Sequence, residues 1–95
     1  MKTLEIKPIS MVVPKGERED SVYLYSIALN KAPEGGFDLR EIESRKKILD
    51  KLEKAKDKVE LEDAEAAKLK QCVSTFGWNS MHDDIYGILK AVEEL

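Results

Sequence analysis

Gly35-Gly36-Phe37-Asp38-Leu39-Arg40-Glu41-Ile42-Glu43-Ser44-Arg45-Lys46-Lys47-Ile48-Leu49-Asp50-Lys51-Leu52-Glu53-Lys54-Ala55-Lys56-Asp57-Lys58 is the stretch whose reading decides the fold. Leu39, Ile42, Leu49 and Leu52 recur at spacings of three, seven and three, with Ile48 beside them, which is the period of an amphipathic helix. The helix is expected to start after Asp38, whose carboxylate can cap the first turn, and to end near Ala55 to Lys58. Gly35 and Gly36 let the chain enter it through a backbone angle that other residues resist.

Working outward, Ser21 to Asn30 admits two readings. Val22-Tyr23-Leu24-Tyr25 favours a strand, whereas Asp20 as an N-cap and Pro33 just past the end favour a helix. The helical reading makes a segment apolar on most sides, which belongs at the centre of a core. Upstream, Thr3 to Val13 reads as extended, with Pro8 confining it to a sheet edge or splitting it, and residues 1–19 as a strand plus a flexible loop.

Downstream, Lys58-Val59-Glu60-Leu61-Glu62 alternates and is a candidate partner strand for the N-terminal one. Asp63 is expected to cap a third helix with Ala66, Leu69, Cys72, Val73 and Phe76 on one arc and Gly77 as its stop. Ser80-Met81-His82-Asp83 has the pattern of a capping box, and Met81, Ile85, Ile88, Leu89, Val92 and Leu95 form the stripe of a fourth helix. The expectation is a single α+β domain over residues 1–95, mostly helical, with about four helices and a short two-stranded sheet.

Ninety-five residues suit one modest core, and 42% hydrophobic with 37% charged residues is the composition of a folded chain with a well-solvated surface. The net charge of −3 argues against a general binder of nucleic acid or anionic membrane. The charge is uneven, however. Residues 1–39 carry 5 basic and 6 acidic groups, residues 40–58 carry 8 and 5, and residues 59–95 carry 3 and 8. A basic centre therefore adjoins an acidic tail.

On the central helix Arg40, Lys47, Lys51, Lys54 and Lys58 fall roughly opposite Ile42 and Leu49. This stripe suits an acidic partner or phosphates, or is a solvated face supported by Glu43/Lys47 and Asp50/Lys54 pairs. Arg45 is different, because it falls within the apolar arc. Either an intrachain carboxylate and an outward-reaching stem satisfy it, or it anchors a partner. Trp78, between Gly77 and Asn79, either covers a hinge or serves as an interface anchor.

Catalytic and metal chemistry find little to work with. Cys72 is the one cysteine and lies in phase with Leu69 and Phe76, the position of an inert core thiol; it permits no intrachain disulfide, which fits a reducing cytoplasm. His82-Asp83-Asp84 is a weak metal or acid/base cluster, since adjacent helical positions diverge and no second histidine exists. No cofactor is expected. The charged start, Met1 to Pro8, does not read as a secretory leader, and no run reaches membrane-spanning length.

The progression Tyr23-Leu24-Tyr25-Ser26-Ile27-Ala28-Leu29, Gly35-Gly36-Phe37-Asp38-Leu39-Arg40-Glu41-Ile42, Arg45-Lys46-Lys47-Ile48-Leu49, Leu61-Glu62-Asp63-Ala64 and Trp78 resembles small uncharacterised proteins of tailed bacteriophages and prophages. It covers roughly residues 20 to 90. The resemblance implies an accessory protein of the bacterial cytoplasm and assigns no functional residue. The expected function is a non-enzymatic protein-interaction module, an assembly factor or an inhibitor of a host protein, acting on a partner or on further copies of itself. The alternative is a nucleic-acid-binding regulator using the basic face of residues 39–58. The interaction candidates are Arg40, Arg45, Lys47, Lys51, Lys54 and Trp78.

Overall fold

A computed structural model describes all residues from Met1 to Leu95. The order of elements is β1 (Lys2–Glu5), α1 (Ser21–Asn30), α2 (Leu39–Lys54), β2 (Lys58–Leu61), α3 (Asp63–Ser74) and α4 (Asp83–Glu93). The two strands pair antiparallel with Leu4 opposite Val59 and Lys2 opposite Leu61. That register sets Leu4, Val59 and Leu61 inward, which is why the alternation of Lys58 to Leu61 was legible as a strand. The result is the expected small α+β domain of four helices and one two-stranded sheet.

Helix α1 is central, with Val22, Leu24, Tyr25, Ala28 and Leu29 all buried and every other helix packed against it. Asp20 starts it by accepting a hydrogen bond from the Val22 N–H through Oδ1 at 3.0 Å. A capped start and burial on several sides outweigh the strand preference of Val22 to Tyr25, because ten residues of helix satisfy their own backbone inside the core. Around α1, one cluster of 18 buried residues joins all six elements.

The N-terminal extended segment is shorter than Thr3 to Val13. Its ladder stops soon after Glu5, with the Ile6 N–H donating to the Asp57 carbonyl at 2.7 Å, because β2 offers only four residues and Pro8 has no N–H to continue. Beyond it the chain is tied down by a main-chain bridge of Pro8 to Asp20, in which the Ser21 N–H donates to the Lys7 carbonyl at 2.8 Å, and by side chains. The Lys7 N–H donates to Ser21 Oγ, and Asp84 Oδ2 accepts from the Ser10 and Met11 N–H groups at 2.8 and 2.9 Å. Val12 stands 98% exposed, whereas Met11 beside it is partly buried against the core.

One helix end falls at the near edge of its expected range, and two helix starts differ from the expectation. Helix α2 ends at Lys54, and Lys58 begins β2, because Arg18 collects the carbonyls of Leu52, Glu53 and Ala55 and turns the chain. Helix α3 has Glu62 at its N-cap and Asp63 inside its first turn, with the Glu62 N–H donating to Glu65 Oε1 at 2.8 Å. Helix α4 is capped by His82, whose Nδ1 accepts from the Asp84 N–H at 3.1 Å. Ser80 therefore accepts from His82, not from Asp83, and Met81 lies outside the helix at 98% exposure.

The largest difference concerns the roll of α2. Asp38 caps it as expected, accepting from the Glu41 N–H at 2.8 Å, and Gly35 and Gly36 both take the positive φ of the turn before it. The face turned to the core, however, carries Ile48, Leu52 and Arg45. Leu39 is 70% exposed, Ile42 38% and Leu49 half-buried. Half of the expected apolar arc therefore points away from the core.

Candidate functional site

Helix α2 presents three surfaces to be judged: an apolar ridge, a basic flank and the buried arginine between them. The ridge is built by Phe37, Leu39 and Ile42, all exposed, and continues into Leu49 beside a shallow hollow of about 260 Å³. Phe37 is held there by the Arg45 guanidinium, whose carbon lies 5.2 Å from the ring centroid. Scattered apolar side chains on a surface need no explanation, but here three large exposed ones fall within six residues.

The basic flank faces the other way, towards the start of α3. Arg40, Lys47 and Lys54 are exposed, whereas Lys51 is tied to Glu65 at 2.6 Å. Neither expected helical pair, Glu43/Lys47 or Asp50/Lys54, closes to ion-pair distance; the pairs that form on α2 are Arg45 with Glu41 within the helix, and Lys51 with Glu65 and Glu41 with Lys68 across to α3. The groove between α2 and α3, about 510 Å³, brings Arg40, Lys47 and Lys68 together with Glu43, Glu62 and Glu65. Three cations facing three carboxylates make a mixed surface and not a continuous phosphate-binding stripe. Lys58 is part of β2 and leaves the stripe altogether.

Arg45 is 8% exposed, and its partners are all within the chain. Nε donates to Glu41 Oε2 at 2.9 Å, and Nη1 donates to the carbonyls of Leu29 at 3.0 Å and Lys31 at 2.8 Å. Glu41 Oε1 in turn accepts from Lys68 Nζ at 2.6 Å. Arg45 thereby closes the C-terminal end of α1, where helix carbonyls lack intrahelical partners. The Glu41/Arg45 pair at i,i+4 spacing was visible in the sequence; the carbonyls on α1 and the Lys68 ammonium on α3 were not.

Trp78 is half-buried, donates from Nε1 to the Val73 carbonyl at 2.9 Å and packs on Phe76 with ring centroids 4.2 Å apart. It covers the turn after α3. Cys72 is 5% exposed. Burial pushes its thiol up, and the opposing pull of Arg45 and Lys68 does not cancel this. His82 and Asp84 are occupied as helix cap and loop anchor, so the candidate metal cluster has a structural use for two of its three members.

Two carboxylates in these networks are shifted. Hydrogen bonds from Lys68 and then Arg45 hold Glu41 below the usual carboxylate range. For Glu65, burial pushes upward, but the Lys51 hydrogen bond and the Glu62 N–H more than offset it, and the net shift is down. Groups with depressed folded pKa values contribute stability that is present above the ordinary glutamate range and lost as pH falls through it towards the folded values. Urea midpoints measured from about pH 7 to about pH 3 are expected to fall on the acid side, and less steeply in a Glu41→Gln/Glu65→Gln variant. An equally steep fall in that variant would mean other groups set the acid limit.

The fold and these surfaces define a small α+β protein with an outward apolar ridge at one helix and ion pairs joining that helix to α3. Compared with protein families, with curated proteins and with solved structures, the chain matches none. No helix is long and apolar enough to cross a membrane.

Proposed function

We propose that the protein is a non-enzymatic protein-interaction module that docks through the ridge of Phe37, Leu39 and Ile42. One observation carries the reading. The apolar period of α2 is wider than the core needs, so Leu39 and Ile42 are presented outward on a helix whose inner face is already filled by Ile48 and Leu52. Exposed apolar strips of this kind mark docking surfaces, in which a few large side chains supply most of the binding energy. The resemblance to phage accessory proteins supports the same reading, with a bacterial cytoplasm as the setting and a host or phage protein, or a second copy, as the partner.

Arg40, Lys47 and Lys54 flank the ridge and favour a partner with acidic character at the rim. Nucleic-acid binding is the weaker reading, because the glutamates of the α2–α3 groove interrupt the cations.

The test compares the wild type with Leu39→Asp and Ile42→Asp in two measurements, light-scattering mass and affinity capture from bacterial lysate. Both variants are expected to lose the association; stability stays within about 0.5 kcal/mol for Leu39→Asp, at 70% exposure, and falls further for Ile42→Asp, at 38%. Association unaffected by either variant would remove the ridge from the proposal. Association that instead falls steeply with salt and is lost in Lys47→Ala would transfer it to the basic flank and to nucleic acid.

A further inference from the structure

Arg45 leaves one part of its guanidinium unused. Its Nε takes Glu41 and its Nη1 takes two main-chain carbonyls, but Nη2 makes no hydrogen bond within the chain and is not sealed from solvent. Nη2 shares the edge of the guanidinium plane with Nε, so it lies on the Glu41 side. It makes no hydrogen bond to that carboxylate, whose Oε1 accepts from Lys68 Nζ at 2.6 Å. Glu41, Arg45 and Lys68 all border one cleft of about 560 Å³, between the end of α1, the middle of α2 and the outer side of α3.

The cleft has the charge and shape of a site for one kind of ligand. Two cations and one carboxylate leave the Arg45–Lys68–Glu41 group at +1, and Lys31 and Glu34 at the rim cancel each other. Lys31 is itself engaged, its ammonium donating to the Phe76 carbonyl and lying 5.1 Å from the Phe76 ring centroid. A monoanion neutralises the inner group; a dianion overcharges it beside Glu41. Gln71 adds an amide to the lining, and Ala28, Ala32 and Phe76 contribute apolar surface. The volume falls within the range of small-molecule sites, which combine apolar walls with a few convergent polar groups.

We propose that this cleft binds a small organic monocarboxylate. The carboxylate receives Arg45 Nη2 and Lys68 Nζ, and an apolar body rests against Ala28, Ala32 and Phe76. The cleft and the docking ridge are adjacent, with Arg45 bordering both, but the groups proposed to hold the ligand are not those of the ridge. Such binding gives the partly used arginine a purpose that the fold alone does not require, since Nε and Nη1 already close the end of α1.

The test is an NMR titration of the ¹⁵N-labelled full chain with sodium benzoate at constant ionic strength. Benzamide serves as the neutral analogue and inorganic phosphate as the anion without an apolar body. Benzoate is expected to give saturable shifts at amides bordering the cleft, at concentrations up to about 20 mM, the range of weak small-ligand binding. Lys68→Met is expected to weaken it at least about tenfold, the loss typical of one charge-assisted contact. Ala32→Trp keeps every charge but fills the cleft from an exposed position, and is expected to abolish the shifts; Lys54→Met, on the distant flank, is expected to leave them unchanged. No saturable shift with benzoate overturns the proposal. So does equal binding of benzamide or phosphate, or full binding by Lys68→Met or Ala32→Trp in spectra that show the native fold.

Discussion

Arg45→Ala is expected to lower the free energy of unfolding by about 3 kcal/mol, the size associated with leaving buried polar groups without partners. The residue is 8% exposed, and its loss strips the Leu29 and Lys31 carbonyls of their donor at the end of α1. It also removes a hydrocarbon stem packed between α1 and α2, and the cation beneath the Phe37 ring. Arg45→Met separates these contributions, because it keeps most of the stem and removes every donor. It is expected to retain less than half of the lost stability. Arg45→Lys should do little better, since one ammonium cannot reach Glu41 and two carbonyls in the geometry of a planar fork. Urea unfolding of the three variants checks the order. A methionine variant as stable as the wild type would show that the arginine is tolerated in the core and not needed by it. Light-scattering mass of Arg45→Met adds an independent readout: an unchanged mass with reduced stability means that Arg45 acts within the chain and anchors no second copy.

The roll of α2 explains why its sequence was only half legible. Periodicity locates a helix reliably from Leu39, Ile42, Leu49 and Leu52, but it turns the mean apolar direction inward and takes an arginine in that arc for an anomaly. The decisive contacts are non-local. Leu29 and Lys31 carbonyls lie 16 and 14 residues from Arg45, and Lys68 lies 27 residues from the Glu41 it shares. These acceptors draw Arg45 inward and roll Leu39 and Ile42 out, an outcome no single-helix pattern encodes. Where the signal was local, it was readable. The Asp20 and Asp38 caps and the alternation of Lys58 to Leu61 each depend on residues within a few positions. The helix starts at Glu62 and His82 were displaced by one or two positions, because several polar residues compete there and the tertiary context selects among them. Asp84 shows the same limit from another side: beside His82 and Asp83 it resembles part of a ligand cluster, but it anchors backbone 73 and 74 residues away.

Arg18→Ala is expected to cost about 2 kcal/mol, on the scale of several charge-assisted hydrogen bonds at a partly exposed site. Nothing in the turn-rich segment Pro14 to Asp20 marks this arginine as structural, yet it joins the end of one helix to the start of another. Nη1 donates to the Leu52 and Glu53 carbonyls at 3.0 and 3.1 Å, and Nη2 donates to the Ala55 carbonyl at 2.8 Å. The same Nη2 and Nε hold Asp20 Oδ2 at 2.7 and 3.1 Å, which orients the carboxylate whose other oxygen caps α1. Losing Arg18 therefore frees the last carbonyls of α2 and loosens the α1 cap together. The damage should be local first, because those carbonyls sit at the entrance to β2. Amide exchange is expected to quicken at Ala55, which donates to Leu52, and at Ile6, which donates to Asp57, while Leu69 and Val73 in the core of α3 follow only the global loss. Arg18→Lys reaches one or two of the five acceptor contacts and should restore less than half of the stability. A uniform change in exchange across all four helices, with Ala55 and Ile6 no faster than Leu69, would mean that Arg18 acts on the chain as a whole and does not fasten the α2 terminus.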